Sequence, residues 1–287
     1  MIAKVTPFSS KKTLNLGGKL LYLDNPLVMG ILNITPDSFY QGSRFNDAEG
    51  LTKKLEQMIQ EQVDIVDIGG YSSRPGAENI SVQEEIDRVI PAILACRAYA
   101  PSIPISIDTY RTEVASQALD AGANMINDIS AGSLDPKMFK LVAQRQVPYI
   151  LMHMRGNPQT MTGKTDYQNI ITDIMRYFSQ KVSQLQDLGV NDIIVDPGFG
   201  FAKTVEQNYE LLRNLSYFKE LQLPLLVGLS RKSMVYRPLD ISADEALNGT
   251  TVLHTIALMN GAMILRVHDV QAARQAVTLY LNTYPNH

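Results

Sequence analysis

The chain has 287 residues, 45% of them hydrophobic and 19% charged, with a formal net charge of −3. That balance excludes a generally basic nucleic-acid surface, so an anionic ligand would need a local basic cluster. A single cysteine, Cys96, excludes an intrachain disulfide, and no stretch approaches the roughly 20 apolar residues of a membrane span. The opening MIAKVTPFSSKKTLNL lacks the apolar segment of a secretion signal, which leads to the expectation of a soluble cytoplasmic protein. No composition break marks a linker, so one domain over 1–287 is expected.

TLNLGGKLLYLD (13–24) reads as a β-hairpin around Gly17-Gly18, within an N-terminal extension of residues 1–26. Eight β-rich runs follow: 27–33, 63–69, 103–108, 124–129, 147–153, 192–196, 223–230 and 262–268. Segments of helical period separate them. Ser81 and Glu84 form a capping box before Ile86, Val89, Ile90, Ile93 and Leu94, with Pro91 expected to kink that helix. Asp135-Pro136 precedes Met138, Leu141 and Val142. A face of Ile171, Ile174, Phe178, Val182 and Leu185 stops at Gly189. Thr204 with Gln207, and Ser242 with Glu245, cap two later helices. Eight βα units of this length predict a closed (β/α)8 TIM barrel in the α/β class. An open doubly wound sheet is the alternative, but strand 1 leads into ILNITPDSF without the glycine fingerprint of that fold.

The strand ends carry the chemistry. Asn33, Asp67, Asp108, Asn127, Asp128, His153 and Asp196 close strands 1 to 6. Ser230, Arg231 and Lys232 follow strand 7, and Arg266 and His268 end strand 8. A parallel barrel opens all these ends on one face. In IPISID, Ser106 and Asp108 share one face and the isoleucines the other. Carboxylates buried there cost several kcal/mol unless hydrogen-bonded. A flat heterocycle with several N–H donors would satisfy them, and so would several waters. Lys232, Arg266 and His268 lie where barrels often bind phosphate. His153 serves the mouth or packs there, His254 and Cys96 are structural, and zinc is excluded because no third soft ligand joins His153 and His268. The long loops 33–47 and 69–79 read as lids.

Taken together, MGILNITPDSF, DIGGYSSRPGA, ISIDT, INDISAG, LMHMRG, IIVDPGFGFAKT, GLSRKSM and NGTTVLH…RVHDV resemble the dihydropteroate synthase family from about residue 14 to 275. The resemblance implies condensation of 7,8-dihydropterin-6-ylmethyl pyrophosphate with p-aminobenzoate in folate synthesis, SN1-like and Mg2+-assisted, by a homodimer that sulfonamides target. It implies Asp108, Asn127, Ile129, Met152, Asp196, Phe201, Gly228, Lys232 and Arg266 around the pterin. It places Asn33, Arg74, Arg266 and His268 on the pyrophosphate, with Asn33 at the metal. Phe39, Ser73, Arg74, Pro75, Phe201, Lys232 and Ser233 would receive p-aminobenzoate. Lys232, Asp108, Asp196 and Arg266 would be catalytic. Lys203 is expected near the rim, without an assigned role.

Three positions depart from the family pattern: Tyr71 stands where Glu is usual, Ser73 where Thr is, and Tyr236 where Gly is frequent. Ser73 keeps the hydroxyl and loses one methyl, worth about 1 kcal/mol. The rivals are a methyltetrahydrofolate-dependent methyltransferase, a pterin-binding paralogue without turnover, and an aldolase-type barrel. The last would need a Schiff-base lysine. Lys232 is the only candidate read from the sequence, and its anionic neighbours argue against a low pKa.

Overall fold

The computed structural model describes residues 12–34, 44–72 and 80–285. The hairpin pairs β1 (Thr13–Asn15) antiparallel with β2 (Leu20–Tyr22). Gly17 and Gly18 turn it with φ of 69° and 95°, a region closed to most side chains. The eight expected strands all form, trimmed to their hydrogen-bonded centres. They are β3 (Leu27–Asn33), β4 (Ile65–Gly69), β5 (Ile105–Asp108), β6 (Met125–Asp128), β7 (Tyr149–Met152), β8 (Ile193–Asp196), β9 (Leu226–Val227) and β10 (Ile264–Val267). Each neighbours the next in parallel, and β10 returns to β3. A Val195–Leu225 bridge and the bond from Val195 N to Pro224 O (3.0 Å) join β8 to β9 and close the circle. The result is the (β/α)8 barrel.

Helices fill the connections, α1 (Arg44–Gln60), α3 (Thr112–Asp120) and α4 (Met138–Arg145) among them, for the reasons their sequences give. Ser81 Oγ accepts from Glu84 N (3.1 Å) at the start of α2 (Val82–Tyr99). That helix runs through Pro91 and buries Ile86, Val89, Ile93 and Cys96, while Leu94 points outward, 53% exposed. Helix α5 (Ile170–Asp187) buries Ile170, Ile174, Phe178, Val182 and Leu185, one residue off the expected start of the stripe. Thr204 and Gln207 close a full capping box on α6 (Val205–Arg213). The Ser242–Glu245 bonds instead form the turn ahead of α8 (Leu247–Met259), whose first residue comes later than expected.

The alternation along each strand divides the core in two. Val66, Ile68, Ile105, Ile107, Ile126, Leu151, Ile193, Val195, Val227, Leu265 and Val267 pack outward on the helices. Met29, Ile65, Met125, Ile150, Ile194, Leu226 and Ile264 point inward and meet Leu14 and Leu23 of the hairpin. The hairpin thus plugs the lower end of the barrel. Two residues further along the same inward faces the chemistry changes to Asp67, Asn127, Met152, Asp196, Gly228 and Arg266.

Candidate active site

Backbone register sets the site. Asn33, Gly69, Asp108 and Asn127 are successive partners across β3, β4, β5 and β6. Gly69 leaves room between its neighbours: a Cβ there would lie 3.4 Å from Asp108 Cβ and 3.5 Å from Asn33 Oδ1. From across the barrel, Arg266 donates from Nε to Asp67 Oδ2 (2.6 Å) and from Nη2 to Asp108 Oδ2 (2.5 Å). Asn127 Nδ2 donates to the same Asp67 oxygen (3.1 Å). Asp67 Oδ1 and Asp108 Oδ1 are buried and have no partner among the described residues. Such acceptors, left in a low-dielectric site, call for donors, which the N–H groups of a ligand or waters would supply.

The electrostatics follow from burial. Burial raises the Asp108 carboxyl to about 7; Arg266 opposes the rise and Asp67 adds to it. Burial also raises Asp196, against the pull of Lys232 and of the Gly198 N–H. For Arg266, burial works against the charge, but Asp67 and Asp108 more than offset it and hold the guanidinium above its ordinary range. Burial draws Lys232 down to about 8, with Asp196 opposing. This corrects the expectation that anionic neighbours would keep Lys232 from a low value: desolvation outweighs them. The carboxylates still stabilise its charged form, and its Nζ donates to Phe199 O.

The loop after β8 is built tightly. Asp196 Oδ1 accepts from Gly198 N (2.7 Å). Gly198 sits at φ 70°, where a Cβ would come within 2.1 Å of His153 O, so no other residue fits. Phe201 lies under the Lys232 ammonium, 4.8 Å from ring centroid to Nζ, within cation–π reach. Met152 and Ile129 form an apolar cluster with Tyr71, Met154, Met161 and Ala202, against which Phe201 packs. Gly228 keeps the space beside Lys232 Nζ open, 3.7 Å from where its Cβ would be. Ser230 Oγ accepts from His268 N (3.2 Å) and meets His268 Nδ1 (3.1 Å). Ser233 opens the short helix α7 (Ser233–Leu239) beside Lys232.

Several expectations change. Asp128 does not face the mouth. It lies on the strand face opposite Asn127 and accepts from Ser130 N, Ser130 Oγ, Gly132 N and Tyr149 OH, which fixes the turn after β6. Arg231 is engaged by Asp269 through two bonds (2.9 and 2.8 Å) and braces the loop after β9. Lys203 is not at the rim: it is only 9% exposed and bonded to His153. It is therefore a second lysine near the site, more deeply buried than the half-buried Lys232. Tyr71 packs edge-on against Tyr110, 5.3 Å between ring centroids, and its buried hydroxyl has no partner among the described residues. Asp67 was legible as a strand end but not as the carboxylate that joins Arg266 to Asn127. Phe39, Ser73, Arg74 and Pro75 lie outside the described residues.

Residues 29–268 match the family described as pterin binding enzyme. The chain is 50% identical over 251 residues to the dihydropteroate synthase of Synechocystis sp., covering 86% of each chain. It is 42% identical over 262 residues to that of Escherichia coli K12, covering 91% of this chain and 92% of the relative. Its fold superposes on Yersinia pestis dihydropteroate synthase, solved with a sulfonamide drug complex. The TM-score is 0.89 and the identity 38%, over 95% of this chain and 99% of that one.

Proposed function

The chain belongs to the dihydropteroate synthase family of pterin binding enzymes, and we propose that its barrel mouth joins 7,8-dihydropterin-6-ylmethyl pyrophosphate to p-aminobenzoate. The observation that carries this reading is the inward ring of Asp67, Asp108, Asn127, Asp196, Lys232 and Arg266. Its orphaned carboxylate oxygens suit the amino and ring N–H groups of a pterin, for which Asp108, Asn127 and Asp196 are the readers. Met152, Ile129, Phe201 and Gly228 give the flat ring its apolar walls and clearance.

Ionisation of the C–O bond to pyrophosphate leaves a methylene cation, and the arylamine nitrogen then forms the new C–N bond and loses a proton. The carboxylates nearby favour the cation, while Arg266 and His268 hold the departing anion. Lys232, over the ring of Phe201, and Ser233 lie beside the p-aminobenzoate; the further contacts proposed there are Phe39, Ser73, Arg74 and Pro75.

No group of three or more His, Cys, Asp or Glu suited to a metal exists among the described residues. This fits Mg2+, which keeps waters and substrate phosphates and needs few protein oxygens. Asn33 Oδ1, facing the gap at Gly69, is the donor that would hold it. The ion would offset charge growing on the leaving oxygen.

Incubation with the pterin pyrophosphate, p-aminobenzoate and Mg2+ tests the reading. Pyrophosphate release coupled to dihydropteroate formation is expected. Tight pterin binding without turnover would overturn it in favour of a binding paralogue. The enzyme is further proposed to act in the cytoplasm as a homodimer. Support comes from the exposed Leu247, Val252, Ile256 and Met259 of α8 and Leu279 of α9 (Val270–Thr283). No helix among the described residues is long and apolar enough to cross a membrane. Sedimentation of the purified chain at one protomer mass would contradict the dimer.

A further inference from the structure

Resting on that reading, we propose that Lys203 is a positioning residue: its ammonium, gripped by His153 and two loop carbonyls, fixes the 197–203 loop on which Lys232 and the pterin are set.

Lys203 reaches inward from the end of the loop rather than out to solvent. Its Nζ lies 3.1 Å from His153 Nδ1, 2.9 Å from Gly198 O and 2.9 Å from Phe201 O. An ammonium has three N–H donors and no acceptor, so three acceptors match it one for one. This requires His153 Nδ1 to present a lone pair. Burial first, then the charges of Lys203 and Arg155, hold His153 well below its ordinary range, so the neutral ring is available to accept. Tyr177 (4.9 Å), Tyr167 (6.0 Å) and Phe178 (6.5 Å) pack around the imidazole and fix its plane.

The loop needs such a clamp. Gly198, Gly200 and Ala202 all adopt left-handed backbone, with φ of 70°, 80° and 49°, and only the glycines do so without steric cost. Side chains satisfy the loop's polar groups one by one. Asn208 Oδ1 accepts from Gly200 N (2.7 Å), Tyr167 OH donates to Ala202 O (3.0 Å), and Lys232 donates to Phe199 O. Lys203 takes the carbonyls of Gly198 and Phe201, which bracket Phe199 and Gly200. The carbonyl that orients Lys232 and the ring of Phe201 beneath it are therefore held from below by one buried cation.

That cation also acts on Asp196. The titratable and charged groups facing Lys203 are His153 just after β7, Asp196 on β8, Arg155 after β7 and Lys232 after β9, with Arg266 facing Asp196 from β10. Tyr167 and Tyr177 are the remaining titratable neighbours. Burial draws Lys203 well below its ordinary range, Asp196 opposes that and Lys232 and Arg155 add to it; in turn Lys203 is one of the charges that favour ionised Asp196, so each holds the other charged.

Two measurements on the full chain test this. The first uses wild-type protein labelled with 15N-histidine. His153 Nδ1 is expected unprotonated and hydrogen-bonded from pH 6 to 9 (about the range in which the family chemistry would run); a proton on Nδ1 overturns the proposal. The second compares Lys203→Met and Lys203→Arg with wild type in the coupled assay. For Lys203→Met, kcat/KM for the pterin substrate is expected to fall about tenfold or more. Its acidic limb should move up by about half a pH unit, because Asp196 loses a favourable charge. Lys203→Arg, which keeps the charge, should hold the limb in place even where its bulk lowers kcat. A Lys203→Met profile with an unmoved limb and wild-type KM overturns the proposal, as does the same unmoved limb with an equal loss in both variants. Should the variants not fold, the histidine measurement decides. A wild-type chain without synthase activity defeats the functional reading alone, since the imidazole result is independent of it.

Discussion

The two ends of the barrel interior are made by the same strands and do opposite work. At the lower end Ile65, Met125, Ile150, Ile194 and Ile264 meet Leu14 and Leu23 in an apolar cluster. Two residues on, the same inward faces present Asp67, Asn127, Met152, Asp196 and Arg266. The lower layer contributes stability through apolar burial. The upper one gathers charges whose desolvation costs several kcal/mol each unless they are well paired. A strand only a few residues long thus separates the part of the molecule that holds it together from the part that acts.

That division can be broken most severely at the top. Lys232→Ala or Asp196→Ala should lower dihydropteroate formation by about 10³-fold or more with the fold retained, read as kcat/KM beside circular dichroism. A rate within about tenfold of wild type would remove either residue from the site. Arg266→Met strands Asp67 and Asp108 without their cation, so a loss of about 3–5 kcal/mol is expected in urea unfolding, together with loss of activity. At the bottom, Ile150→Ala should cost about 2–5 kcal/mol and leave kcat/KM within about twofold, measured where the variant is folded. A large kinetic defect there would show that the two layers are not separable.

Gentler changes sharpen the contrast. The folded Asp108 carboxyl titrates at about 7, above its ordinary 3.8, so the native state binds its proton more readily than the unfolded chain does. The stability this group contributes is therefore lost as pH rises from about 4 to 7 and changes no further above that. Asp108→Asn should remove the slope, so the difference in Tm between variant and wild type grows across that window and then levels off; a difference independent of pH would contradict it. Ser106→Ala should have the smallest effect. Its hydroxyl is buried between the layers with no partner among the described residues, so removal should change stability by about 1 kcal/mol or less, toward greater stability.

Period-two alternation made the upper ring readable in advance, because Ser106 with Asp108 and Ile194 with Asp196 must share a face. It did not say which of two consecutive polar residues turns inward. Asn127 does; Asp128 turns outward and finds Tyr149, a partner on the next strand. Asp67 was visible at a strand end, yet its meaning depends on Arg266, 199 residues away. Lys203 lies away from its expected place at the rim for the same reason. A lysine in a glycine-rich loop normally reaches solvent, and only His153, 50 residues earlier, adds to Gly198 O and Phe201 O the third acceptor that holds it indoors. Local pattern thus carried the strands, the caps at Ser81 and Thr204 and the inward faces, but not the caps expected at Asp135 and Ser242. Partnerships across the barrel needed coordinates.

The polar upper layer is built to read a pterin. A crystal structure of the chain with a bound dihydropterin tests it directly. The ring is expected between Met152, Phe201 and Gly228, its N–H edge on Asp108, Asn127 and Asp196, and Lys232 within hydrogen-bond distance. A pterin seated elsewhere, with Asp108 Oδ1 and Asp196 untouched, would contradict it.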